Sequence, residues 1–249
     1  MNQAQTGKRI AALGVVLGFV ALWFDTTSGI GGSATYSDDG TVLAFLLIAL
    51  ILSAMQLAAG KEIGAAVAGC AALGFYMLIP ASLGFDRFGY LDVGGWLGVC
   101  TVLIPLGIGY SLMSGRARVK RPSLESAAPA ILGRVLCLVA IWLTTLDGFP
   151  SFWNLSSSGH ALGLLMLILV LAGAALGAMI AFGSATRAAA DWLLMLAAVT
   201  FGLFSALLIG NAFGEFGRLG TGGWLAAAGS IVLLIGVHKV WKEATGGAR

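Results

Sequence analysis

Asp25, Asp86, Arg87, Asp92, Asp147, Trp153, Glu215 and Arg218 are the residues best equipped for chemistry, and all lie in short polar segments between long apolar runs. A guanidinium presents a planar fork of donors that matches a phosphate or a carboxylate. Arg87 and Arg218 could hold an anionic head group or a partner's acid, with the neighbouring acids and Trp153 shaping a pocket or docking surface. The plainer reading of the same residues pairs acids with arginines inside their loops and puts Trp and Tyr at a membrane–water boundary. Either way the chemistry is binding, not bond-making.

Catalysis finds less to work with. His160 and His238 are the only histidines, and neither has a nucleophile or a third group at a recognisable spacing. Each falls at the end of an apolar run, where it would cap a helix or lie at the interface. Cys70, Cys100 and Cys137 sit inside apolar runs without metal-ligand spacing and read as small core residues. Gly94-Gly95 opens a helix but lacks the preceding strand of a phosphate-binding loop. No catalytic residue, metal site or cofactor is expected. A net charge of +3, scattered along the chain, leaves no footprint for a nucleic acid.

The elements that must position these residues are membrane helices. Of 249 residues, 59% are hydrophobic and 10% charged, against roughly 25% charged in soluble domains. The apolar residues come in runs close to the ~20 needed to cross about 30 Å of hydrocarbon. Closing every backbone hydrogen bond within a segment forces helix in lipid. Eight spans follow: 10–24, 41–59, 63–85, 94–113, 127–146, 160–182, 192–212 and 222–240. The first, after Lys8-Arg9, has the look of a signal peptide; its internal counterpart at 127–146, with Arg134 about two turns in, argues for a retained helix. Arg134 is expected to snorkel to the surface.

A repeat organises these spans. Phe88-Gly89-Tyr90-Leu91-Asp92-Val93-Gly94-Gly95-Trp96-Leu97 returns 128 residues later as Phe216-Gly217-Arg218-Leu219-Gly220-Thr221-Gly222-Gly223-Trp224-Leu225. The chain therefore reads as two four-helix units, residues 1–113 and 127–249, joined by a basic linker at 114–126. Four is an even number, so both units cross in the same direction, as parallel repeats. The outer loops at 25–40 and 147–159 correspond, each beginning with an Asp and ending Ser-x-x-Gly. Every Lys and Arg falls on one side except Arg87 and Arg218, which puts both termini in the cytoplasm. Trp23, Trp96, Trp153, Trp192, Trp224 and Trp241 lie near span ends and read as an aromatic belt.

Two further features bear on function. Pro80 and Pro105 interrupt the third and fourth spans, where the second unit has Leu208 and Leu233. Each frees a carbonyl, of Tyr76 or Thr101, and kinks its helix; a cavity is expected beside them. Gly14/Gly18, Gly60/Gly64, Gly94/Gly98 and Gly173/Gly177 are spaced to admit a neighbouring helix, internal or from another subunit.

The unit pattern is a basic start, a helix ending Trp-Phe-Asp, a Gly/Ser outer loop, two helices, then Gly-Gly-Trp-Leu. It resembles four-helix integral membrane proteins common in actinobacteria, here in duplicated form. The longer first outer loop is also similar to that of claudin-like proteins, but their Trp/Cys-Cys signature is absent from Trp23 to Gly40. The resemblance implies topology in a bacterial plasma membrane and no activity. The expectation is a non-enzymatic multi-pass subunit or scaffold, binding lipid, a membrane-protein partner or a second copy through its outer loops and glycine faces. The alternative is a small transporter or channel with a path between the two units.

Overall fold

The computed structural model describes residues 3–27, 35–38, 40–77, 90–112, 118–144, 151–154, 160–212 and 220–246. Among them it is all-helical, with eight helices that we number in chain order. They are α1 (Gln3–Ala21), α2 (Gly40–Ala58), α3 (Glu62–Tyr76), α4 (Val93–Leu112), α5 (Leu124–Ala140), α6 (Ala161–Ala181), α7 (Arg187–Ala212) and α8 (Thr221–Thr245). Five of them, α2, α4, α6, α7 and α8, are long and apolar enough to cross a membrane.

The burial pattern is that of a chain solvated by hydrocarbon. Large side chains such as Ile48, Ile168 and Ile235 are more than half exposed around the bundle's flank. The buried face of α1, by contrast, is Gly7, Ala11, Gly14, Val15, Gly18 and Ala21. With lipid outside, apolar burial gives little drive for helix association, so contact depends on close backbone approach, which small residues permit. A Cβ on Gly7 would strike the Gly107 carbonyl oxygen of α4. One on Gly236 of α8 would strike the backbone of Ala130 in α5.

Each half is closed on itself in the same way. α1 packs along α4 and α5 along α8, while α3 lies on α2 and α7 on α6. The halves meet chiefly through α3 and α7, with α2 and α4 touching α7 lightly. The α3–α7 crossing is reciprocal. A Cβ on Gly74 would strike the carbonyl oxygen of Val199, and one on Gly202 that of Ala71. Both Gly74 to Gly202 and Ala71 to Val199 are steps of 128, the offset of the repeated motif.

Chain direction alternates, so the starts of α1, α3, α5 and α7 and the ends of α2, α4, α6 and α8 gather at one end. Lys8, Arg9, Lys61, Arg118, Lys120, Arg121, Arg187, Lys239 and Lys242 all lie there. We call it the basic end.

Several boundaries differ from expectation for local reasons. α1 starts at Gln3, well before the apolar run, and stops at Ala21 without reaching Asp25. α8 continues to Thr245 and ends at left-handed Gly246 (φ 74°). Pro105 does disturb its helix: the turn Cys100–Val102 just before it is 3-10, the tightening expected where a proline removes a donor. Pro80 lies outside the described residues.

Candidate functional site

At the end opposite the basic one, Asp25 and Asp92 come together, but as parts of a joint. The Gly94 N–H donates to the Asp25 carbonyl (2.8 Å) and the Asp92 N–H to the Thr26 carbonyl (3.1 Å). The Asp92 carboxylate caps α4 by accepting from the Val93 N–H (2.7 Å). The terminal carbonyls that follow α1 thus satisfy orphan donors at the start of α4. The second half repeats this: the Gly222 N–H donates to the Thr144 carbonyl at 2.8 Å. Thr144 makes the contact that Asp25 makes.

The joint explains the repeated Gly-Gly. A Cβ on Gly94 would strike the Phe24 carbonyl oxygen, and one on Gly222 would lie 2.6 Å from that of Leu143. Gly94→Ala and Gly222→Ala are each expected to cost about 1–3 kcal/mol by overpacking. The check is a lowered thermal midpoint in detergent; midpoints equal to wild type would remove this account of the motif.

Trp153 belongs to a separate aromatic stack, between Trp142 (centroids 4.5 Å apart) and His160 (4.9 Å). His160 stands at the N-cap of α6, yet its ring does not cap; Nδ1 lies 2.9 Å from the Trp153 carbonyl oxygen. Nearby in the first half, Tyr36 meets Tyr76 edge-on, and burial pushes the Tyr36 phenol above its usual range. Asp86, Arg87, Asp147, Glu215 and Arg218 lie outside the described residues. Of the tryptophans assigned to a belt, Trp23, Trp96 and Trp224 are exposed, whereas Trp192 packs on Gly109 and Trp241 is buried.

A large cavity opens at the basic end, on the seam between the halves. It measures about 890 Å³ and is walled by α2, α3 and the end of α4 on one side and by α7 and α8 on the other. Most of its lining is apolar. The polar groups are Gln56, Lys61, Glu62, Ser111 and His238, with Trp241 beside them.

Local sequence puts these groups at the mouth. Left-handed Gly60 (φ 72°) ends α2, with the Lys61 N–H reaching back to the Gln56 carbonyl at 2.8 Å. This tight closure needs glycine and starts α3 two residues later, at Glu62. The Glu62 carboxylate takes Lys8 of α1 at 3.0 Å and the Ser111 hydroxyl of α4 at 2.9 Å, fixing it at the meeting of three helices. Lys8 is 43% exposed, so Lys8→Met is expected to cost under about 1 kcal/mol. A larger loss in a detergent melt would contradict that.

Across the cavity lies Asp191, which is 2% exposed. It accepts the Trp241 indole N–H at 2.7 Å, and His238 stacks on that indole with centroids 5.9 Å apart. Trp241 was expected in the belt and His238 at a helix end. The spacing of His238 and Trp241, one turn apart on an extended α8, was the available signal. Nothing local in the sequence links either to Asp191, fifty positions away.

A second cavity stands where the 128-residue offset carries the first. It is about 330 Å³ and apolar throughout, lined by Cys70, Leu73, Leu106, Met195, Leu196 and Val199 among others. Those six lie 128 positions from Ala198, Phe201, Leu234, Val67, Ala68 and Ala71 of the first. The difference in size has a plain source. Gly64 lines the large cavity, and at its offset position stands Trp192, whose ring packs on Gly109. Lys61 and Glu62 are likewise matched by Ala189 and Ala190. Pro105 lines this smaller cavity and not the seam cavity.

The glycine pairs proposed as docking faces meet the chain itself. Gly14 faces Ile104, Gly18 Leu50, Gly64 Gln56, Gly98 Tyr76 and Gly177 Arg134. No family model, curated protein or solved structure matches the chain.

Proposed function

We propose that the protein is a small multi-pass carrier that binds an amphipathic solute in the seam cavity. One observation carries this reading: of two matched cavities, one is narrowed by Trp192 and lined only by apolar groups, while the other is kept wide by Gly64 and given a polar wall. At about 890 Å³, it has the size and mixed lining of a small-molecule site. The narrow α3–α7 seam supports a rocking of one half against the other about the crossing of Gly74 and Gly202, as in carriers built from repeats. Any coupling ion would have to work near the basic end, where Glu62 and Asp191 sit.

We further propose that all eight helices cross a bacterial plasma membrane as two parallel four-helix repeats, with both termini cytoplasmic. The reciprocal α3–α7 contact, the paired Gly94–Asp25 and Gly222–Thr144 hydrogen bonds and the gathering of Lys and Arg at one end support this. Under that orientation the cavity opens inward.

The test is purification in mild detergent followed by native mass spectrometry, with Gly64→Trp as the matched variant. A chain that arrives alone, carrying a reproducible small molecule that Gly64→Trp expels, supports the carrier. A stoichiometric protein partner with no bound small molecule overturns it in favour of a subunit or scaffold.

A further inference from the structure

Arg134 stands apart from every other described cation. It is ten residues into α5, about 15 Å from the helix start, and its guanidinium lies against α6. A Cβ on Gly177 would come within 2.5 Å of Nη1, and one on Gly173 within 3.6 Å of Nε. The side chain points back toward the start of its helix, as helical side chains do. Gly177 is four residues before the end of α6, so the guanidinium rests about 6 Å inside that end. This is the depth at which hydrocarbon gives way to head groups. Among the described residues no hydrogen bond or ion pair reaches it.

The surroundings are a groove between α5 and α6, which touch only lightly along their length. The space is about 390 Å³, lined by Ile131, Val135, Leu138, Leu171 and Ala174 among other apolar residues, with Arg134 its one charge. At its mouth, Arg121 donates to the Phe182 carbonyl at the end of α6 (3.0 Å) and stays exposed. A second guanidinium therefore stands at the end of α6, one residue from Pro122, which lines the slot. A cation at this depth without a counter-charge is costly and calls for an anion. The slot supplies room for hydrocarbon directly beyond it.

We propose that the α5–α6 groove is a binding site for one anionic phospholipid, its phosphate held between Arg134 and Arg121 and an acyl chain lying along Ile131, Val135 and Ala174. A free phosphate would use the guanidinium groups and leave the groove empty; a zwitterionic lipid would bring its own cation against them. Basic pockets between helices on the inner face are where anionic head groups bind. Gly177 serves the site by leaving space for the guanidinium. The site is separate from the seam cavity and does not depend on it.

The experiment is native mass spectrometry of the full chain exchanged into micelles with equal amounts of phosphatidylglycerol and phosphatidylcholine. Wild type is expected to retain one phosphatidylglycerol, with Arg134→Leu lowering retention at least about tenfold, as loss of a charged pairing implies. Ala174→Trp, which fills the groove and leaves both arginines, should lower it similarly. Elution volume and melting midpoint like those of wild type identify variants that remain folded. Equal retention of the two lipids, or retention unchanged in Arg134→Leu, overturns the proposal. Loss in Arg134→Leu but not in Ala174→Trp, with displacement by millimolar inorganic phosphate, also overturns it, showing a phosphate site in place of a lipid site.

Discussion

Gly202→Leu is expected to leave no monodisperse protein on size exclusion in mild detergent. At this position the first side-chain atom would strike the Ala71 carbonyl oxygen and lie 2.9 Å from the Ala71 Cα, all backbone of α3. Backbone cannot rotate aside as a flexible side chain can, so the helices must separate. Separation costs the main contact between the halves. Gly202→Ala is the graded form, expected to cost about 1–3 kcal/mol. Gly74→Ala should cost a comparable amount, because it meets the Val199 carbonyl oxygen and the Leu203 amide nitrogen (2.7 Å) in the mirrored way. The two sites are neighbours, so the double variant should not be additive. Wild-type elution and melting of Gly202→Leu would show that α3 and α7 do not cross here.

Trp241→Phe is the second large effect, expected to lower stability by about 2–3 kcal/mol. The substitution removes the pyrrole ring and some of its packing, and with it the N–H donated to the buried Asp191 carboxylate. A buried acceptor that loses one of its donors takes on part of its desolvation cost. Asp191→Asn should be milder, since its amide oxygen still accepts from the indole. Asp191→Leu strands the N–H and falls between. Detergent melts of the three variants check the order. A Trp241→Phe midpoint within error of wild type would mean the bond contributes nothing to the fold.

The helical class, the near positions of all eight helices and the Gly-Gly-Trp-Leu duplication were legible in the sequence, because hydrophobic run length and seven identities in ten residues are local signals. The reason for that motif was not, since it depends on carbonyls of Phe24 and Leu143 roughly seventy to eighty positions away. The seam cavity was invisible for the same reason. Gly64 and Trp192 acquire meaning only when α3 and α7 are set side by side, and Trp192 by itself reads as one more boundary tryptophan. Arg134 was seen, but its contact with Gly177 and Gly173 of α6 was not. Asp191 is a further case: nothing in its own segment, an acid next to a run of alanines, points to Trp241.

The unequal residues at 64 and 192 also say something about how such a molecule can come to exist. Two separate copies of one half, meeting through a reciprocal glycine crossing, would carry the same residue at both places, so a tryptophan would shut both chambers and a glycine would leave both ajar. Fusing the copies into one polypeptide lifts that identity constraint and keeps the halves at high effective concentration. One chamber can then specialise while the other becomes ballast that holds the seam.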